Sequence, residues 1–164
     1  LNIDNDLIEH YLFSKCEFLI TGDSGINFYP ALYRKPVLLI NMMPSVLRNW
    51  NDENCYLTIF KKFYSSKLNS FLNFRESIEI LEDKNSSDKN FEKLGIKVIN
   101  NSQKEIYDLM NEFVLRKNNK WIVKEDENEI RDVIRKFSEK NFSVKLNRIN
   151  VSYNFAKENK KLFL

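Results

Sequence analysis

The sequence predicts an α/β fold, a Rossmann-like open and mostly parallel sheet with flanking helices. Three observations carry the prediction. Glu17-Phe18-Leu19-Ile20 reads as a short buried strand running straight into Thr21-Gly22-Asp23-Ser24-Gly25. Ile26, Tyr29, Ala31, Leu32 and Tyr33 then recur at helical spacing as far as Arg34-Lys35. Pro36 stops that helix, and Val37-Leu38-Leu39-Ile40 follows as a continuous apolar run, the pattern of a strand covered on both faces of a parallel sheet. Together they make a β-α-β unit, whose right-handed crossover sets the two strands parallel as neighbours or near-neighbours.

The other elements follow in order. Asp6 with Glu9 has the form of a capping box and opens a helix through Leu7, Ile8, Tyr11 and Leu12. Residues 41–56, with Trp50 and several Asn and Asp, read as loop. Leu57 to Tyr64 is apolar and basic by turns, and periodicity does not assign it. Asn73 with Glu76 is a second capping box, ahead of Ile78, Ile80 and Leu81, and residues 83–90 form a polar loop. Gly95 precedes a third strand, Ile96-Lys97-Val98-Ile99. Ser102 with Glu105 then caps a helix carrying Ile106, Leu109, Met110, Phe113 and Val114. A helix is expected from about Glu127 to Ser138. Ser152 opens a last one through Tyr153, Phe155 and Ala156.

At 164 residues the chain is long enough for one domain with a real core, to which 13 Phe and seven Tyr contribute. No apolar run approaches the roughly 20 residues that span a bilayer. The opening Leu1-Asn2-Ile3-Asp4 has no signal-peptide character, and without an initiator Met the chain reads as the C-terminal part of something longer. Residues 1–56 carry four basic against seven acidic residues, and the remainder carries 22 against 16. In that second part acids interleave with bases, as in Glu125-Asp126-Glu127, so solvated helix faces are expected rather than a nucleic-acid surface. Cys16 and Cys55 lack metal-ligand spacing and read as idle thiols in a reducing compartment.

The chemistry concentrates at the glycine turn. Two of the three glycines, Gly22 and Gly25, frame Asp23-Ser24. The first turn of the following helix has amides without internal partners, and the dipole adds positive charge there, so it is a preformed anion site. The hydroxyls of Thr21 and Ser24 can donate to phosphate oxygens. Asp23 suits a helix cap or a sugar hydroxyl. Ligands of open α/β sheets sit beyond the carboxyl ends of the strands, so the loops at Thr21–Gly25 and Asn41–Pro44 are expected to face one crevice. Lys61 and Lys62 are candidate phosphate clamps from the next segment. His10, the one histidine, reads as a surface or packing residue, and a zinc site is not expected. Gly22-Asp23-Ser24-Gly25 is one residue short of a nucleophile elbow, and no lysine follows it as in a P-loop.

Cys16 to Asn41, with its strand, Asp-Ser-Gly turn, helix and Pro-Val strand, resembles the C-terminal half of GT-B glycosyltransferases. It is similar in particular to a family of bacterial glycosyltransferases from surface-polysaccharide gene clusters. Further short likenesses are Lys62–Lys67, Leu72–Glu76, Gly95–Ile106 and the closing Arg148–Leu164. The resemblance implies a single nucleotide-sugar-binding domain over residues 1–164, with a C-terminal helix at 150–164, belonging to a longer two-domain chain. It implies transfer of sugar from a nucleotide-sugar donor to a saccharide acceptor, with no cofactor beyond that co-substrate and no metal, in the cytoplasm or at the periphery of the inner membrane. Carried over by position, Thr21, Gly22, Asp23, Ser24, Gly25, Asn41 and Lys62 are donor-binding. The catalytic base of an inverting GT-B enzyme usually comes from its N-terminal domain, so the resemblance implies no catalytic residue among these. The turn also resembles the loop of GT-B-fold nucleotide-sugar 2-epimerases, but Ile26 stands where their second glycine would be. A non-catalytic Rossmann-like module is the third reading.

Overall fold

The computed structural model describes residues 5–22, 24, 29, 32–45, 55–82, 88–141 and 150–164. The β-α-β expectation holds in its strands. β1 (Leu19–Thr21) and β2 (Val37–Met42) pair in parallel, with Leu19 opposite Val37 and Thr21 opposite Leu39. Val37, Leu38 and Leu39 are almost completely buried, as a run without polar alternation requires when both faces are covered. Tyr29 and Leu32 are helical between the two strands, and Arg34 takes a left-handed φ of 52° just before Lys35-Pro36 turns into β2.

The unassigned stretch is the third strand. β3 (Cys55–Phe60) lies parallel to β2 on the side away from β1, giving the order β1-β2-β3. Leu57, Ile59 and Phe60 are buried in it. Across its outer edge the Thr58 amide donates to the Asn150 carbonyl and the Ser152 amide donates to the Thr58 carbonyl, and Val151 bridges Thr58 in parallel. The expected C-terminal helix over 150–164 is therefore shorter: an edge contact, then a helix at Tyr153–Glu158, then a 3-10 turn at Lys160–Phe163.

A second difference concerns the strand at 96–99. It does not join the parallel sheet. The chain passes from β3 through Lys61 into β4 (Lys62–Ser65), turns at left-handed Asn69, and returns as β5 (Ser70–Phe71). β6 (Ile96–Ile99) pairs antiparallel with β4, giving a separate sheet of order β5-β4-β6. Phe63, Leu72, Phe91 and Ile96 form its small core. A strand's own residues report burial, not direction. The hairpin after β4 sets β5 antiparallel to it, and the chain then runs through residues 74–94 before β6 enters antiparallel on the other edge of β4.

The helices form largely where expected. α1 spans Asn5–Lys15, so Asp6 lies inside the helix rather than capping it. Both later capping boxes are closed. The Asn73 side chain accepts from the Glu76 amide at 2.9 Å and the Glu76 carboxylate accepts from the Asn73 amide at 2.8 Å, opening α2 (Phe74–Glu82). Ser102 and Glu105 do the same for α4 (Gln103–Lys117). α3 (Asp88–Leu94) takes the end of the expected polar loop, and Gly95, at φ 72°, turns its end into β6. α5 spans Glu127–Asn141 and α6 is the helix at Tyr153–Glu158.

The main core is aromatic. Phe113 of α4 meets Phe18 and Tyr56 at ring distances of 4.8 and 5.0 Å, and Phe74 meets Phe60 and Phe163 at 5.5 and 4.8 Å, the edge-on and tilted arrangements that ring quadrupoles favour. Thus α4, α6 and the 3-10 turn close on the parallel sheet and leave its carboxyl edge as the place where loops meet.

Candidate functional site

β1 ends at Thr21, opposite Leu39, and β2 runs on past it through Ile40 and Asn41 to Met42. A Cβ built on Gly22 would meet only the Ile40 carbonyl oxygen, at 3.5 Å, among the described residues. Gly22 does not take a positive φ. Among the described residues, neither steric crowding nor backbone strain demands glycine there. Thr21 is half-buried, with its hydroxyl 3.4 Å from the Gly22 carbonyl, and Ser24 is exposed. Asp23 and Gly25 lie outside the described residues.

The end of β2 is built with more care. Leu39 faces Thr58 and Met42 faces Phe60, so Ile40 and Asn41 together oppose a single residue. Asn41 forms this bulge at φ 53°, a conformation asparagine accepts more readily than most side chains. Asn101, buried just before α4, grips it reciprocally. The Asn41 amide donates to Asn101 Oδ1 and the Asn101 amide donates to Asn41 Oδ1, both at 2.6 Å. Asn101 Nδ2 donates to the Phe60 carbonyl at 2.8 Å. One side chain therefore fixes the carboxyl ends of two neighbouring strands.

Lys62 is committed nearby. Its ammonium sits 2.7 Å from Glu105 Oε1, with 16% and 5% of the two side chains exposed. Burial alone would push the Glu105 carboxyl up, but the Lys62 ammonium and the Ser102 amide and hydroxyl outweigh it and hold the group below its ordinary value. Lys61 is different. Its amide donates to the Met42 carbonyl at 2.8 Å, which sets it at the same strand edge, and its ammonium makes no ion pair among the described residues. Of the two lysines singled out by sequence, the structure ties Lys62 into the scaffold and leaves Lys61 half-buried, with no ion pair among the described residues.

The structure therefore brings Thr21, Gly22, Asn41, Lys61 and Lys62 to one end of the parallel sheet. Sequence reasoning missed Asn101 and Glu105, which organise that end. Glu105 was visible only as a helix cap, and Asn101, 60 residues from Asn41, had no local signal.

Away from this edge, a cavity of about 760 Å³ opens beside Tyr56, Asn150 and Tyr153 and is lined by Arg116, Arg131 and Arg135. These arginines are already paired. Arg116 bonds Glu112 and Glu127 at 2.8 and 2.7 Å, Arg131 bonds Glu127 at 2.9 Å, and Arg135 bonds Asp132 at 2.9 Å. Glu112, fully buried, also accepts from the Ser152 hydroxyl and the Tyr153 amide, so Ser152 tethers α6 instead of capping it with its side chain. Burial opposes ionisation of Glu127, yet Arg116, Trp121 Nε1, Arg131 and the Lys124 amide together bring it down to about 2. This network is a brace between α4, α5 and α6.

His10 joins its Nδ1 to the Tyr33 hydroxyl at 2.9 Å and meets the Tyr29 ring edge-on, so it links α1 to the segment before β2. Among the described residues no helix is long and apolar enough to cross a membrane. No group of three or more His, Cys, Asp and Glu there could hold a metal ion. The chain is thus an α/β protein with a small parallel sheet and flanking helices, whose candidate site is the carboxyl edge of that sheet. No family model, curated protein or solved structure matches it.

Proposed function

We propose that this chain is the donor-binding half of a GT-B-type glycosyltransferase, holding the diphosphate of a nucleotide-sugar at the carboxyl edge of the parallel sheet. The observation that carries the reading is Gly22, at the end of β1 beside the Ile40 carbonyl, on the same sheet edge as the Asn41 bulge and as Lys61, whose ammonium makes no ion pair among the described residues. Among the described residues neither packing nor φ requires this glycine, whereas close approach of a ligand to the backbone would. Thr21 and Ser24 donate hydroxyl hydrogens to phosphate oxygens and Lys61 supplies the counter-charge, beside the helix start that the sequence predicts after Ser24. Charge that develops on the departing nucleotide diphosphate is stabilised by these same groups, so the binding contacts become catalytic contacts. Asn101 and Glu105 act through others, keeping the Asn41 bulge and Lys62 in position.

The second reading, a non-catalytic module, draws on the way Asn41 and Lys62 are both consumed by scaffold contacts. Calorimetric titration with UDP-, GDP- and CMP-sugars separates the two. A transferase half binds one of them, with affinity reduced at least about tenfold, or about 1.4 kcal/mol, by Gly25→Val and by Lys61→Met. A module without donor binding gives no heat with any of the three, and that result rejects the proposal. Product analysis with the full-length protein and a saccharide acceptor then distinguishes transfer from epimerisation.

A further inference from the structure

We propose that the Asn118–Asp126 connection between α4 and α5 is a membrane-contact tip that seats Ile122 and Val123 in the interfacial region of a bilayer bearing anionic headgroups. The proposal does not depend on what the strand edge binds.

The loop is built, not slack. The Asn118 amide donates to the Val114 carbonyl at 3.1 Å, the Asn119 amide to Arg116 at 3.1 Å, and the Lys120 amide to Leu115 at 2.8 Å. Asn119 takes a left-handed φ of 55° to make the turn. Trp121 is then pinned from both sides: its Nε1 donates to Glu127 at 3.0 Å, and the Arg116 guanidinium stacks 4.4 Å from its ring centre. Glu127 also accepts from the Lys124 amide at 3.3 Å. The chain is thus held before and after Ile122-Val123, while those two side chains stand 76% and 65% exposed. A loop serving only as a connection has no use for two adjacent β-branched apolar residues displayed on a rigid frame.

Charge indicates the occupant. Lys120 and Lys124 flank the apolar pair, and neither ammonium makes an ion pair among the described residues; Lys124 lies 5.4 Å from the Trp121 ring. Lys117 is held by Glu17 at 2.5 Å. Of the nearby acids, Glu112 and Glu127 are buried against Arg116, and Asp126 is engaged by Lys157 and Tyr153. Glu125 alone faces solvent without a partner among the described residues. An apolar tip between lysines, which can lay their stems along it and keep their ammonium groups in the headgroup layer, is complementary to an anionic bilayer surface. A stable protein interface covers about 800 Å² on each partner, far more than two side chains offer.

The test is co-sedimentation with neutral phosphatidylcholine vesicles and with vesicles in which roughly a third of the lipid is anionic phosphatidylglycerol. Wild-type protein is expected to partition onto the anionic vesicles only. Ile122→Ser/Val123→Ser and, separately, Lys120→Glu/Lys124→Glu are each expected to lower that partitioning at least about tenfold while unfolding midpoints stay unchanged, since all four side chains are exposed. Absence of binding to anionic vesicles at low salt overturns the proposal, as does undiminished binding by the Ser variant. Concentration-dependent self-association in sedimentation velocity, abolished by the Ser variant and accompanied by no vesicle binding, would assign the tip to a protein contact and overturn it equally.

Discussion

Replacing Glu127 by Gln removes one negative charge from a site where four donors converge: Arg116 at 2.7 Å, Arg131 at 2.9 Å, Trp121 Nε1 at 3.0 Å and the Lys124 amide at 3.3 Å. The glutamine keeps one carbonyl oxygen but offers an amide group where the second oxygen was, facing donors. The folded protein holds Glu127 near 2, below the ordinary value of 4.5. At about 1.4 kcal/mol per pH unit, that difference is worth up to about 3 kcal/mol of stability. Breaking a buried pair by removing one partner costs about 3–5 kcal/mol, so the two routes agree. Because the folded-state value is the lower one, the contribution is complete above the unfolded value and disappears as pH falls through the folded value. Urea unfolding followed by far-UV circular dichroism is the assay, with midpoints measured at pH 7 and at steps down to pH 2. Glu127→Gln should lose about 3 kcal/mol at pH 7, and the gap from wild type should narrow between pH 4.5 and 2. A loss below about 1 kcal/mol at pH 7, or a gap constant across that range, refutes the argument.

Asn101→Leu deletes the two side-chain hydrogen bonds that tie the Asn41 amide and the Phe60 carbonyl, and should cost about 2–3 kcal/mol in chemical unfolding while also weakening donor binding. Lys62→Met, which leaves the buried Glu105 without its partner, should lower the unfolding midpoint clearly more than Lys61→Met does. Gly22→Ala should leave thermal stability within about 0.5 kcal/mol of wild type, because its Cβ finds 3.5 Å of room; Gly95→Ala, at φ 72°, should cost about 1 kcal/mol or more. Ser152→Ala should destabilise by about 1–2 kcal/mol through the lost bond to buried Glu112, although the serine makes no side-chain cap.

How far the sequence anticipates the structure depends on whether a feature is local. β2 was legible because four consecutive apolar residues have no other stable home, and α2 and α4 were legible because a capping box closes within four residues. Ser152 obeyed the local rule for a helix start, yet its hydroxyl went to Glu112, 40 residues away, because a buried carboxylate is the more demanding partner. β3 and β4 escaped notice because apolar and basic residues follow one another from Leu57 to Tyr64. Part of that stretch is buried on both faces, while Lys62 is neutralised by a helix that only the fold brings near. At the site, the places of Thr21, Gly22 and Asn41 at the strand ends follow from the apolar runs before them, whereas the choice between Lys61 and Lys62 does not. That choice is made by Glu105, 43 residues on, and only the folded chain reveals it.

The measurement that bears most directly on the central claim is isothermal titration of the protein with UDP-glucose, GDP-mannose and CMP-sialic acid, run beside Gly25→Val and Lys61→Met. Saturable heat is expected with one nucleotide class, at least about tenfold weaker in both variants, whose far-UV spectra match the wild type. Flat titrations with all three donors, or equal affinity in wild type and Gly25→Val, would contradict it.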